Sequence, residues 1–371
     1  MFQTFPENID LTPCKRVKFG IDPTFPRLHL GHLVPLRLVK KMMEEGHDIT
    51  IVLGTFTAQL GDPSGRDTTR PILSAEEVKE NAKQILKQLE KLIGPWDLGI
   101  YKGKKTWRLF ENHVIHEQMT MDAFMKIASK FTLTHMTSRN GFQERINNNQ
   151  PIAMHELLVP MCQGWDSVTL KTEIEIGGQD QLFNFQIARQ LQEAEGQKPQ
   201  GCILMPIING TDGRKMSKSL GNCIFWDEDI HDIFGKVMSI PDTVMEEWFP
   251  LFVDFTVEED MHPMDKKKVL AIEIIKQLHG TVAAVDANQH FFHTVQNKQI
   301  PDDMPFIRIG LDAVTILDAV VRMNNSSKTA ARQLIHDGAV RIDGEKVFDE
   351  KLQILPNQII QSGKRNFAKV E

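Results

Sequence analysis

The stretch RVKFGIDPTFPRLHLGHLVPLRLVKKMMEE, Arg16 to Glu45, decides the reading of the fold. Arg16–Ile21 reads as a strand ending at Asp22-Pro23, and Gly31–Glu45 reads as a helix. Working outward, Asp48–Gly54 (DITIVLG) is a second strand, apolar and β-branched as buried parallel strands tend to be. Ser74–Ile93 is a helix with Ser74 as N-cap and Glu77 completing a capping box. Lys105–Phe110 is a third strand. Helices are expected near Gln118–Ala128 and over Ala153–Leu170. Then come a strand at Ile174–Ile176, a helix over Gln181–Glu195 and a strand at Cys202–Ile208. This alternation predicts an α/β domain over residues 1–225, a Rossmann-like doubly wound parallel sheet with ligands at the carboxyl ends of its strands.

From Asp227 to about Asn297 the pattern is helical, as in Met264–His279 (MDKKKVLAIEIIKQLH), and residues 226–300 are expected to form an α-helical domain. Lys298–Gly310 carries two prolines and two aspartates and reads as a linker, centred on residues 301–310. Residues 311–371 read as a small α+β domain. Its SSKTAARQLIHDG segment predicts a helix capped at Ser326 or Ser327 and ended by Gly338, and AVRIDGEKV predicts a hairpin turning at Asp343-Gly344.

The 371 residues are 41% hydrophobic and 25% charged, which excludes wholesale disorder. The longest apolar run, around Cys202–Ile208, is far short of the ~20 residues a membrane helix needs. The N-terminus has no apolar signal core, so a cytoplasmic protein is expected. The four cysteines form no C-x-x-C pair, so neither a disulfide frame nor a structural metal is expected. Net charge is −6 overall, yet residues 311–371 carry nine Lys/Arg against eight Asp/Glu, while the other 310 carry 34 against 41. That asymmetry permits a nucleic-acid contact at the C-terminus without requiring one. The chain holds a single tyrosine, Tyr101, against 21 phenylalanines.

Two segments carry chemistry. In Asp22–His32, between a strand and a helix, His29 and His32 can point the same way at the helix start and donate to a phosphate whose charge grows in a transition state. Gly31 lets backbone approach a bound nucleotide. In Gly213–Gly221, Lys215 and Lys218 flank Met216 and Ser217 on a glycine-bounded loop suited to clamp a pyrophosphate leaving group. Alone, an H-x-x-H pair is ordinarily two unrelated histidines, and a K-x-x-K loop a solvated charge cluster. Together, in this order on one parallel α/β domain, the functional reading prevails.

His29-Leu30-Gly31-His32 and Lys215-Met216-Ser217-Lys218-Ser219 resemble the two signatures of class I aminoacyl-tRNA synthetases. Phe19-Gly20-Ile21-Asp22-Pro23-Thr24, Gly61-Asp62-Pro63-Ser64-Gly65, Gln163-Gly164-Trp165-Asp166-Ser167-Val168 and Gly177-Gly178-Gln179-Asp180-Gln181 look like the tyrosyl-tRNA synthetase family. The C-terminal domain resembles the S4-type RNA-binding domain that ends bacterial members. The resemblance runs from about residue 12 to the end. It implies ATP-dependent formation of an aminoacyl-adenylate, then transfer to the 3′ end of a tRNA, with ATP entering as its Mg2+ complex and no structural metal. It places Thr24, His29, His32, Lys215 and Lys218 at the reacting phosphates. Asp22, Gly31, Asp180, Gln181, Met216 and Ser217 would hold ATP, with Arg66 and Arg70 near the leaving group. Lys18, Thr57, Asp62, Val159, Gln163 and Asp166 would line the amino-acid site, with Asp166 accepting from a tyrosine hydroxyl. Discrimination against phenylalanine would follow, because a buried acceptor left unpaired is costly. Ser327, Lys328, Arg332, Arg341, Lys346, Lys364 and Arg365 would meet RNA phosphates. The resemblance also implies a homodimer formed near residues 118–152.

The pattern departs from the family at positions that bear on specificity. Lys18, Val159 and Trp165 stand where relatives often carry tyrosine, and Gln179 where Thr or Ser is common. Two readings therefore compete with a tyrosine–tRNA ligase. One is a paralogue that adenylates another amino acid or uses another acceptor, which Val159 and Trp165 favour. The other is an inactive RNA-binding relic, which the intact His29, His32, Lys215 and Lys218 oppose.

Overall fold

In the computed structural model of the chain, residues 2–60, 73–96, 100–101, 104–258, 260–296, 304–307, 314–363 and 366–371 are described. The apolar runs of the first half form one six-stranded sheet. Its strands are β1 (Gln3–Phe5), β2 (Arg16–Ile21), β3 (Asp48–Leu53), β4 (Arg108–Glu111), β5 (Ile174–Gly178) and β6 (Gly201–Met205), in spatial order β1-β6-β5-β2-β3-β4. From β2 to β6 the neighbours are parallel. β1 departs from the expected all-parallel pattern and runs antiparallel on β6, with Thr4 opposite Ile203. Val17, Ile49, Ile51, Ile174 and Ile203 are almost wholly buried. Both faces of the sheet are covered, which is why these strands read as nearly continuous apolar runs.

Two expected strands are shifted. Cys202–Ile208 ends at Met205, because Pro206 has no N–H for the ladder. Lys105–Phe110 begins only at Arg108, where pairing with Thr50 starts; Lys104–Lys105 pair instead with Ile100–Tyr101 in a separate ribbon.

Helices α1 (Leu30–Glu44), α2 (Ala75–Ile93), α3 (Met154–Thr169) and α4 (Leu182–Ala194) cover the sheet. α1 buries Leu30, Leu33, Leu36 and Val39 at helical spacing. α2 begins with the expected capping box: Ser74 accepts from Glu77 N–H and Glu77 accepts from Ser74 N–H. α3 and α4 approach closely at Gly164, where a Cβ would stand 3.0 Å from the Cα of Ala188. This contact brings α3, which carries Val159, Gln163 and Asp166, against Asn184 on α4. The strand order reverses direction between β2 and β5, the switch point where open α/β sheets bind ligands.

The chain divides into two compact units, Met1–Asp229 with Lys236–Leu278, and Ile230–Gly235 with His279–Glu371. Helices α5 (Ile230–Met238), α6 (Asp242–Phe252), α7 (Pro263–His279) and α8 (Thr281–Phe291) fill the region expected to be helical. In the C-terminal part, β7 (Phe306–Ile307), β8 (Val340–Ile342), β9 (Glu345–Lys346), β10 (Ile359–Ser362) and β11 (Asn366–Val370) form a sheet of order β9-β8-β10-β11-β7. Helices α9 (Ile316–Asn324) and α10 (Lys328–His336) pack Val320, Ala331 and Ile335 into a core with Ile360. Of the two candidate caps, Ser327 is the one that accepts from Ala330 N–H, and Gly338 ends the helix at φ 65°. Asp343 and Gly344, at φ 50° and 90°, make the expected hairpin turn. The segment read as a linker holds β7, whose Ile307 is buried beside Val370; its residues 298–303 and 308–310 lie outside the described residues. All four cysteines are free, and burial pushes the thiols of Cys162 and Cys202 up to about 12.

Candidate active site

A cavity of about 690 Å³ opens at the carboxyl ends of β2 and β5. It gathers Asp22, Thr24 and His29 from the turn after β2, and Gly31 and His32 from the first turn of α1. It also takes Lys215, Met216, Ser217 and Lys218 from the loop after β6, with Asp180 and Gln181 from the turn after β5. Lys18, Thr57, Val159, Gln163 and Asp166 line its other end.

At the start of α1, His29 is the N-cap. Its Nδ1 accepts from Gly31 N–H at 3.1 Å, and His32 Nδ1 accepts from His29 N–H at 3.2 Å. A backbone N–H only donates, so each Nδ1 is an acceptor and the proton of each neutral ring sits on Nε2. Burial, with His32 and then Lys218 close by, pushes His29 down to about 2. Burial and Lys218 push His32 down to about 4. Both rings are therefore neutral Nε2–H donors at pH 7. Gly31 is required here, since a Cβ would lie 2.9 Å from the His29 ring.

The lysine loop is a folded hairpin closed by a bridge between Asn209 and Lys215. Asn222, 3% exposed, holds it. Its Oδ1 accepts from Ser217 N–H at 2.8 Å, and its Nδ2 lies within hydrogen-bond distance of Asp212 Oδ1 and of the carbonyls of Arg214 and Lys215. Met216 is buried and lines the cavity. Lys215 Nζ stands 3.5 Å from Asp180 Oδ2, and Lys218 Nζ lies 4.6 Å from the centre of the Phe25 ring.

At the far end, Asp166 is 2% exposed. His116 Nε2 is 2.8 Å from its Oδ1, and Asn112 Nδ2 is 3.1 Å from its Oδ2. Asn112 also reaches Thr57 Oγ1, which donates to Asp22 Oδ1 at 2.8 Å, so a chain of bonds runs from Asp166 to the turn after β2. Gly54 leaves room for it, since a Cβ there would meet Asp22 Oδ1 at 1.9 Å. Lys18 is wholly buried. Its ammonium is surrounded by Glu175 Oε1 at 2.9 Å, Ser167 Oγ at 2.6 Å and the Gln163 carbonyl at 3.1 Å. Ser167 and Gln200 donate in turn to Glu175. Asn184 Nδ2 bridges the side-chain oxygens of Gln163 and Gln181 at 2.9 and 3.0 Å. Val159 is 1% exposed and contributes only methyl groups. Trp165 packs into the apolar cluster of Met161, Ile187 and Leu191 and is not part of the cavity lining.

Asp62, Arg66 and Arg70 lie outside the described residues, as do Lys364 and Arg365. In the C-terminal unit, Lys328 Nζ stands 3.9 Å from Asp318 and Arg332 Nε donates to Glu350 at 2.7 Å. Arg341 and Lys346 face each other across the β8–β9 hairpin. His116, Asn112, Asn184 and Asn222 were missed by the sequence reading. No motif marks them, because their significance lies in partners that only the fold supplies. Among the described residues no group of three His, Cys, Asp or Glu could hold a metal ion.

A parallel sheet with neutral histidine donors at one helix start, faced by a lysine loop across a cavity, defines a class I aminoacyl-tRNA synthetase site. Residues 13–296 match the family described as tRNA synthetases class I (W and Y). Residues 296–369 match the SYY-like C-terminal domain of tyrosine–tRNA ligase. The tyrosine–tRNA ligase of Thermotoga maritima is 40% identical over 96% of this chain and 90% of its own length. That of Aquifex aeolicus is 40% identical over 96% and 91%. In structure, a C-terminally truncated mitochondrial tyrosyl-tRNA synthetase of Aspergillus nidulans matches 74% of this chain and 84% of its own with a TM-score of 0.61 at 21% identity, a likeness of fold. The chain belongs to the class I tRNA synthetases of the tryptophan and tyrosine family, within its tyrosyl-tRNA synthetase branch.

Proposed function

We infer that the chain uses ATP to activate tyrosine as tyrosyl-adenylate and then passes the tyrosyl group to the 3′ end of a tRNA. Two near-full-length relatives named tyrosine–tRNA ligase support the reading. The observation that carries it is the pair of neutral Nε2–H donors facing Lys215 and Lys218 across one cavity, with a buried carboxylate at the far end.

A carboxylate oxygen of the amino acid attacks the α-phosphorus of ATP. The bond from that phosphorus to the bridging oxygen breaks, and pyrophosphate departs with its electron pair. Charge grows on the phosphate oxygens, where His29, His32 and Thr24 donate. Lys215 and Lys218 receive the pyrophosphate, with Arg66 and Arg70 beside it. Most of the acceleration is positioning and charge stabilisation. Asp180 and Gln181 hold the ribose, Asp22 and Gly31 line the nucleotide pocket, and Met216 and Ser217 shape the loop around ATP. Asp62 and Gln163 meet the α-ammonium, Lys18, Thr57 and Val159 bound the amino-acid pocket, and Asp166 accepts from the distal hydroxyl. ATP enters as its magnesium complex, the ion riding on the phosphates.

Amino-acid-dependent exchange of pyrophosphate into ATP, run across a panel of amino acids, tests this. Strong exchange with tyrosine followed by charging of purified tRNA is expected. Strong exchange with another amino acid instead would select the second reading, a paralogue of altered specificity. Val159, which brings only methyl groups to the cavity lining, favours that alternative.

The domain division at 1–225, 226–300 and 311–371 is also proposed. The two family matches, which meet at residue 296, support a break near there. RNA binding by Ser327, Lys328, Arg332, Arg341, Lys346, Lys364 and Arg365 is supported by the Arg341–Lys346 pair. Like charges directly opposite on a hairpin repel, and a polyanion relieves that cost. A homodimer through residues 118–152 is supported by Met121, Met125 and Leu133, whose apolar side chains are 75%, 59% and 66% exposed. A cytoplasmic location accords with reduced cysteines. No helix among the described residues is long and apolar enough to cross a membrane.

A further inference from the structure

Asn112 occupies the N-cap of the short helix His113–His116, yet its side chain makes no capping bond. Its Oδ1 accepts instead from Phe56 N–H at 2.9 Å, and its Nδ2 reaches Asp166 Oδ2 at 3.1 Å. Because a backbone N–H can only donate, the orientation of the amide is fixed. One turn further on, His116 sets Nε2 2.8 Å from the other oxygen of Asp166. Its ring stacks on Phe56, with centroids 5.0 Å apart and planes inclined by 25°. His116 is 6% exposed and Asp166 2%. Asp166 lines the cavity, and His116 stands behind it.

We propose that His116 is a specificity-determining positioning residue: its imidazole N–H locks the Asp166 carboxylate in the orientation that accepts a hydrogen bond from the distal hydroxyl of the amino acid. The inference rests on the tyrosine reading given above. Each carboxylate oxygen offers two lone pairs. One on Oδ1 is taken by His116 and one on Oδ2 by Asn112, so the group cannot rotate without breaking a bond at each oxygen. The remaining lone pairs are left for a ligand in the cavity. Without the imidazole donor, Oδ1 loses that protein partner. Asn112 alone holds one oxygen and leaves the other to swing.

The test compares His116→Leu with His116→Gln in pyrophosphate exchange. Leu keeps an apolar side chain against Phe56 and removes the donor, whereas Gln keeps a donor. For H116L, KM for tyrosine is expected to rise about tenfold with kcat within about twofold and KM for ATP unchanged. The tyrosine-to-phenylalanine ratio of kcat/KM is expected to fall by about tenfold, and H116Q to recover most of it. Should H116L fail to fold, His116→Met serves as the donor-free variant. Undiminished selectivity in the donor-free variant overturns the inference. So do equal rises in KM for tyrosine and ATP without recovery in H116Q, which mark a merely structural histidine. If the wild-type protein shows no exchange with tyrosine, the reading beneath falls and takes the inference with it. Exchange by wild type together with unchanged selectivity in the variant sinks the inference alone.

Discussion

At the end of the cavity that holds the paired histidines, His29 and His32 are held by backbone N–H groups two and three residues away, and Asn222 holds Ser217 from five residues away. At the opposite end, Asp166 is held by groups 50 and 54 residues distant, and Lys18 by Ser167, 149 residues on. One end is a set of local cages and the other a web of side chains tied across the fold. A local cage is written into a short motif and can be read from it. A web is written into topology, and its members look like ordinary Asn, His and Glu until strands and helices meet.

The largest effect expected from breaking the web is on folding. Lys18→Met would leave Glu175 buried without its cation. The free energy of unfolding in urea should fall by about 3–5 kcal/mol, with part of the loss recovered in the double variant K18M/E175Q. A loss under about 1 kcal/mol would mean that the pair contributes little to the fold. Breaking a cage should instead hurt chemistry. His32→Ala is expected to slow adenylate formation about 10²–10³-fold while KM for tyrosine stays within about twofold. Equal losses of rate and tyrosine binding would merge the two ends and remove the contrast.

Asn222→Ala sharpens it further. Ser217 N–H and two loop carbonyls lose their partner, and KM for ATP should rise roughly tenfold with KM for tyrosine unchanged. A shift in both would show that the loop is not independent of the end that holds Asp166. A further effect concerns pH. Unfolded histidines take up protons near 6.5, whereas folded His32 does so near 4 and His29 near 2. Their contribution to stability is complete above pH 6.5 and declines as pH falls towards 4, by at most about 1.4 kcal/mol per pH unit for each ring. Urea melts of wild type and His32→Gln across this range should differ in slope, and parallel slopes would refute the assignment.

Much of the fold was legible because its signals are local. The Ser74–Glu77 capping box, the Ser327 cap with its Gly338 stop, and the Asp343-Gly344 hairpin each state a backbone geometry within a few residues. β1 was not legible, since a three-residue edge strand has too little pattern to stand out and exists only because β6 offers it an edge. Trp165 illustrates the same limit within the site. It adjoins Asp166 in sequence and was read with the amino-acid site, yet the turn of α3 directs it into the apolar cluster with Leu191. Adjacent positions on a helix point about 100° apart, so a neighbour of a pocket residue is seldom one itself.

The antiparallel pairing of β1 with β6 also sets an order of events during synthesis. Residues 3–5 leave the ribosome long before 201–205, which they need as a partner. The wall of the cavity formed by β5 is likewise absent until residue 178 has emerged. At about 5–20 residues per second, the growing chain carries β2 for ~8–30 s with the edge that β5 will cover still open. During that interval the protein has its histidines but no nucleotide site, and a bare hydrophobic strand edge of the kind that holdase chaperones capture.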